Sequence, residues 1–138
     1  MSVPVLLDSG CIVALLDRSE RHHRRCVDVV RQLEAPLVTC EAVLAESCWL
    51  LRALPGAADA VLANVERGVF AVPFRIDRTA AAVRSLMRRY STLPMDFADA
   101  CLVHLADELG TARILTLDAD FTVYRWRRSR PFENLIPM

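Results

Sequence analysis

The sequence contains no lysine, and all seventeen of its basic residues are arginine. That absence has chemical consequences. A nucleotide-binding P-loop needs Gly-Lys-[Ser/Thr], so it is excluded. Response-regulator receivers and haloacid-dehalogenase-type phosphotransferases place an aspartate after their first strand, as this chain does at Asp8, but normally add a lysine. Neither Gly-x-Gly-x-x-Gly nor Gly-x-Ser-x-Gly occurs, which removes the usual dinucleotide fold and the serine-hydrolase elbow. No apolar run reaches the roughly 18 residues a membrane span needs. The start, Met-Ser-Val-Pro-Val-Leu-Leu-Asp, lacks the basic segment and small-residue cleavage site of a secretory signal, so a cytoplasmic, membrane-free protein is expected. No Cys-x-x-Cys occurs among the five cysteines, whose odd number and apolar neighbours predict buried free thiols. His22, His23 and Cys26 match no strong zinc spacing. There is also no excess of positive charge: seventeen acidic residues balance the arginines, so any grip on nucleic acid must come from local clustering.

What is present is an apolar chain of 138 residues, 54% hydrophobic with a mean hydropathy of +0.27. It can bury one core, and residues 1–138 read as one domain. Val3–Leu7, Leu37–Cys40, Val69–Val72 and Arg113–Leu117 read as short strands, with a last edge strand at Asn134–Ile136. Helices are predicted between them. They run over Cys11–Leu16 after a break at Ser9-Gly10, over Glu20–Glu34, from Glu41 or Ala42 to Leu54, and over Ala57–Arg67. Two more are predicted from an Asp77 cap to Tyr90 and from Asp96 to Leu109. This alternation predicts an α/β domain with a mostly parallel central sheet flanked by helices.

In open α/β sheets, ligands bind beyond the carboxyl ends of the strands. Asp8 and Asp118 follow the first and fourth predicted strands, so the fold class alone places both at that rim. Glu46 lies within a helix, flanked at helical spacing by Ala42, Val43, Trp49 and Leu50, and is read as interrupting an apolar stripe. Asp99 has Met95, Leu102 and Val103 at those spacings, with Asp96 one turn earlier. Carboxylates are rarely buried unless paired. Each acid could meet an arginine. Four acids at one rim instead favour a divalent cation, and oxygen-only ligands favour Mg²⁺ or Mn²⁺. Such clusters suit phosphodiester hydrolysis. His104 reads as a satisfied core or interface residue rather than a general base.

The whole chain resembles a PIN domain of the VapC type, the ribonuclease toxin of bacterial type II toxin–antitoxin pairs. The segments that carry the resemblance are Leu6-Leu7-Asp8-Ser9 through Asp17, Val43-Leu44-Ala45-Glu46, Asp96-Phe97-Ala98-Asp99-Ala100, and Leu115-Thr116-Leu117-Asp118-Ala119-Asp120-Phe121. The resemblance implies that Asp8 and Asp99 are the principal Mg²⁺ (or Mn²⁺) ligands. Glu46 would complete the site directly or through water, and Asp118 would be the fourth acid, making these four the catalytic set. Ser9 and Thr116 would position carboxylates, and Asp96 would be an accessory acid. Asp120 remains an alternative to Asp118, although Asp118 is nearer the strand end. The resemblance also implies an RNA substrate, a small cognate antitoxin whose tail fills the acidic groove, and a homodimer. The best local candidate for RNA contact is Arg125, Arg127, Arg128 and Arg130, with Tyr124 and Trp126 interleaved, against an antitoxin-facing or merely solvated segment. Other readings are a non-catalytic PIN-like binding module with arginine-paired acids, and a DNA-directed or flap-type nuclease.

Overall fold

A computed structural model describes residues 3–137 of the chain. Met1, Ser2 and Met138, included in the reading of 1–138 as one domain, lie outside the described residues. Five strands form one parallel sheet: β1 (Val5–Leu7), β2 (Leu37–Val38), β3 (Phe70–Ala71), β4 (Arg113–Leu115) and, at the edge, β7 (Glu133–Asn134). Their order is β3-β2-β1-β4-β7. Leu6 pairs with Val38 on one side and Ile114 on the other, which makes β1 the centre of the sheet. Val5, Leu6 and Leu7 are fully buried, as expected for a parallel strand covered on both faces.

Six helices flank the sheet: α1 (Ser9–Leu16), α2 (His23–Gln32), α3 (Glu41–Leu50), α4 (Ala57–Glu66), α5 (Ile76–Arg89) and α6 (Phe97–Leu109). α1 packs against α2, α3 and α4, while α6 packs against α5, α3 and β1. α6 is the central helix. Ala98, Ala100, Cys101, Leu102, Val103, Leu105 and Ala106 are all buried, so it is apolar nearly all round. Asp96 caps its start by accepting the Asp99 N–H at 2.8 Å. Gly110 ends it with φ +65°.

Several boundaries differ from the sequence reading, each for a local reason. Ser9-Gly10 does not break the chain but opens α1, because the Asp8 side chain accepts the Ser9 N–H and caps the helix. α3 stops at Leu50 rather than Leu54, in a run of turns ahead of Pro55-Gly56. Asp77 does not cap α5. The cap position is Arg75, and Asp77 inside the first turn instead pairs with the Arg75 guanidinium at 2.8 Å. β1 to β4 are all shorter than predicted, and the edge strand lies at Glu133–Asn134, parallel to β4. The polar stretch after β4 holds a 3-10 helix (Ala119–Thr122) and a small antiparallel hairpin of β5 (Arg125–Trp126) and β6 (Arg130–Pro131).

The hairpin turn puts two consecutive arginines in the left-handed region, Arg127 at φ +43° and Arg128 at φ +70°. Each costs about 1–2 kcal/mol relative to a right-handed conformation. The Arg127 side chain reaches the end of α6, where its Nη2 would lie 3.1 Å from a Cβ placed on Gly110. Gly110 is thus constrained twice, by its φ and by that close approach. Gly68, at φ +77°, has open space around it. Gly110→Ala is therefore expected to destabilise the protein by more than Gly68→Ala, which should cost about 1 kcal/mol. Urea denaturation of both variants checks this ranking; equal losses would show that the Arg127 approach is not felt.

Candidate metal centre

The carboxyl ends of the central strands meet the start of α6 at one rim. Asp8 follows β1, and its backbone N–H continues the ladder to the Leu115 carbonyl at 3.1 Å. Asp99 reaches the rim from the first turn of α6, and Asp118 from just beyond β4. One carboxylate oxygen from each of Asp8, Asp99 and Asp118 lies within 4.8 Å of the others. Asp8 and Asp99 are buried and Asp118 is exposed. Together with Glu46 and Asp96 they line an open cleft of about 410 Å³, with Ser9, Gly10, Leu117 and Ala119.

The polar side chains around the cleft fix the acids. Thr116 donates its hydroxyl to Asp8 Oδ2 at 2.7 Å, and its oxygen accepts the Asp118 N–H at 3.0 Å. One threonine therefore couples the β1 and β4 ends of the cluster. Ser9 donates its hydroxyl to Glu46 Oε1, tying α1 to α3. Asp118 accepts the Asp120 N–H at 2.9 Å, which caps the 3-10 helix. Asp120 itself is outside the three-carboxylate group and does not line the cleft.

Tyr124 is a site residue that sequence reasoning placed elsewhere. Its ring is fully buried, edge-to-face with Tyr90 and Phe121 at 5.1 Å each, and its hydroxyl donates to Asp99 Oδ2 at 2.9 Å. The partners are 25 positions apart, so no local spacing announces the contact. Tyr124 is therefore unavailable for stacking on a base, and so is the buried Trp126. Arg125 spends its Nη1 on the carbonyls of Thr122, Val123 and Tyr124. Arg130 and Arg127 each stand 5.2 Å from the Trp126 ring. The four arginines and two aromatics do not form the single mixed patch that their spacing suggested.

The reading of Glu46 also changes. Trp49 and Leu50, one turn on, are 63% and 52% exposed, whereas Ala42 and Val43, one turn back, pack on the core, so Glu46 stands at the edge of the apolar face rather than within it. Glu46 is half-buried at the cleft edge. For Asp99 the reading as an inward acid holds, since Met95, Leu102 and Val103 are buried beside it. His104 pairs with Glu108 at 2.8 Å on α6. His23 takes the Ala14 carbonyl and Cys26 is buried, which leaves no His-Cys metal group among the described residues. All five cysteines are free, four of them buried.

The expected counter-charges are missing. Ion pairs among the described residues are Arg24–Asp28, Arg75–Asp77 and His104–Glu108, and none touches the rim acids. Asp8 is pushed up to about 6 by burial, against the hydrogen bonds from Thr116 and the Ser9 N–H; the charges of Asp118 and Glu46 add to the rise. Asp99 is pushed up to about 8 by burial, against the Tyr124 hydroxyl, with Asp96, Asp8 and Asp118 adding. Burial, then the Asp99 carboxylate, raises the Tyr124 phenol in turn. Two ionised carboxylates at this separation repel by about 3 kcal/mol at an effective dielectric near 20. An all-oxygen donor set with no protein cation fits a hard divalent ion such as Mg²⁺ or Mn²⁺.

Comparison with known proteins gives two findings. A family profile described as PIN domain matches residues 5–126. The fold is similar to the crystal structure of VapC20 from Mycobacterium tuberculosis, described as a sarcin–ricin loop cleaving toxin. The TM-score is 0.78 at 23% identity, covering 92% of this chain and 99% of that one. No curated protein matches this chain in sequence.

A stability prediction follows from the two raised carboxyls. Each contributes stability that is full below its ordinary value of 3.8 and lost as pH rises through its folded value, about 6 for Asp8 and about 8 for Asp99. In EDTA the melting temperature should therefore fall between pH 5 and 8.5. Asp99→Asn should remove much of that fall, and excess Mn²⁺ should restore wild-type stability at pH 8 but not at pH 5. A melting profile insensitive to both pH and Mn²⁺ would count against this electrostatic account.

Proposed function

The chain belongs to the PIN domain family, and on that premise we propose that it is a metal-dependent endoribonuclease, the toxin of a type II toxin–antitoxin pair. The observation that carries this reading is the group of Asp8, Asp99 and Asp118 oxygens within 4.8 Å of one another, with no cation paired to them among the described residues. Asp8 and Asp99 would hold Mg²⁺ or Mn²⁺, with Asp118 and Glu46 completing the acidic set. A bound divalent ion supplies charge stabilisation at the phosphoryl oxygens and lowers the pKa of water.

The chain's own groups do the rest. Thr116 fixes the Asp8 carboxylate and Tyr124 fixes that of Asp99, each by a hydrogen bond to Oδ2. These leave Asp8 Oδ1, which also accepts the Ser9 N–H, and Asp99 Oδ1 for the cleft. Ser9 orients Glu46 at the cleft edge, where its free oxygen can direct a water toward the phosphodiester. Asp118 is exposed and stands where a water or leaving group can be oriented. Asp96 spends one oxygen on the α6 cap and is an accessory acid.

The reading extends to partners. A small antitoxin would cover the acidic cleft, and the chain would form a homodimer. The exposed Trp49, Leu50 and Leu62 on α3 and α4 leave apolar surface for such proteins. No helix among the described residues is long and apolar enough to cross a membrane, and we place the protein in the cytoplasm. No arginine pairs with the rim acids among the described residues, which disfavours a binding module with arginine-paired carboxylates. Mapping cleavage ends after induced expression identifies the RNA target of this chain.

Purified protein should cut RNA with Mn²⁺ and not with EDTA, and should leave single-stranded and duplex DNA intact. Asp8→Asn and Asp99→Asn should each lower the rate at least about 100-fold, as expected when groups act as a unit. Full activity in both variants would overturn the proposal, and preferential DNA cutting would redirect it to the flap-type reading.

A further inference from the structure

Away from the acidic cleft, a groove of about 530 Å³ lies between α5 and α6 and is closed by the β5–β6 turn. One face of α5 lines it, with Ala82, Ser85 and Arg89 at helical spacing. His104 and Asp107 line it from α6, and Arg127 and Arg128 from the turn. Arg89, Arg127 and Arg128 are exposed, and none has a carboxylate oxygen within ion-pair distance among the described residues. Asp107 is the one acid in the lining. Its carboxylate is engaged by the Arg127 backbone N–H at 2.5 Å, and its carbonyl by the Arg127 side chain at 3.5 Å. In a chain of zero net charge, three guanidinium groups against one engaged carboxylate make a local positive site.

The turn strengthens this reading. Consecutive left-handed positions in a tight hairpin are usually filled by Asn or Gly. Here they are filled by Arg127 and Arg128, which no backbone preference selects. Their guanidinium groups are what the strained positions present to the groove. Guanidinium forks match phosphate oxygens bidentately. The one aromatic ring in the lining is the imidazole of His104, which is largely covered and held by Glu108, and Tyr124 and Trp126 are buried, so no freely exposed ring offers a base a stacking face. The groove and the acids share α6: His104 and Asp107 are five and eight residues beyond Asp99, about 8–12 Å along the helix axis.

We propose that Arg89, Arg127 and Arg128 form a phosphodiester-binding groove that holds the RNA backbone, without reading bases, beside the acidic cleft. The assignment rests on the ribonuclease reading, and it replaces Arg125 and Arg130 of the sequence-based set with Arg89.

The test uses the full chain with Arg89→Gln and Arg128→Gly combined. Glycine suits φ +70°, so the second change removes charge while relieving the backbone. Binding of a labelled single-stranded RNA is measured in EDTA, where cleavage is blocked, over a range of KCl concentrations. The double variant should lose about tenfold in affinity at moderate salt. Its log K against log [KCl] slope should be shallower by about 1.4, or about 0.7 for each phosphate released. Unchanged affinity and slope would overturn the groove, even if Mn²⁺-dependent cutting is confirmed. Loss of a hepta-glutamate peptide with RNA binding retained would also overturn it, assigning the arginines to a protein partner. Wild-type RNA binding that needs these arginines, without any cutting, would keep the groove and sink the ribonuclease reading instead.

Discussion

Mutual repulsion among buried carboxylates is the constraint on which the rim of this protein depends. Asp8 and Asp99 are buried, Asp118 joins them within 4.8 Å, and no cation among the described residues pairs with them. The fold tolerates this because two of these acids, and Asp96 beside the third, also perform a structural task. Asp8 caps α1, and Asp118 caps the 3-10 helix after β4. Asp96 caps α6 so that Asp99 sits in its first turn. Hydrogen bonds from Thr116 and Tyr124 stabilise the charged forms, while burial favours the protonated ones. A hard divalent ion bound there, as proposed, would resolve that opposition in favour of the charged forms.

The placement of the acids was legible because strand ends and helix turns have fixed geometry. Asp8 and Asp118 follow strands of a parallel sheet, and their rim position needs no knowledge of side chains. The inward direction of Asp99 came from its apolar neighbours at helical spacing, which are buried as expected. The same reasoning held for only half of the neighbours of Glu46, Ala42 and Val43, because periodicity cannot tell an apolar face turned to the core from one turned to solvent. Trp49 and Leu50 belong to the second kind. Tyr124 was misread because aromatic residues among arginines look alike whether they stack outward or fill the core. Its contact with Asp99 depends on how the 3-10 helix folds back, which no local pattern records. Helix caps were unreliable for a related reason: the Asp77 carboxylate satisfied an arginine instead of the backbone.

The neutral overall charge conceals a division of labour. Acids collect in the cleft at the carboxyl ends of the strands, and unpaired arginines collect in the groove between α5 and α6. α6 links the two, carrying Asp99 at its start and ending under the Arg127 side chain. A nucleic acid needs both kinds of surface, one to grip its backbone and one to receive a cation at the reacting phosphate. The absence of lysine makes the first surface wholly guanidinium, a planar fork rather than a point charge.

As a divalent-metal site, the three-carboxylate cluster would carry protons when empty and release them on binding the ion. Calorimetric titration of the whole protein with Mn²⁺ at pH 7, in buffers of different ionisation enthalpy, measures binding and proton release together. With Asp99 held near 8, binding should release about one proton, and Asp99→Asn should weaken binding and abolish most of that release. Absence of Mn²⁺ binding by the wild-type protein, or binding with no proton released, would contradict the account.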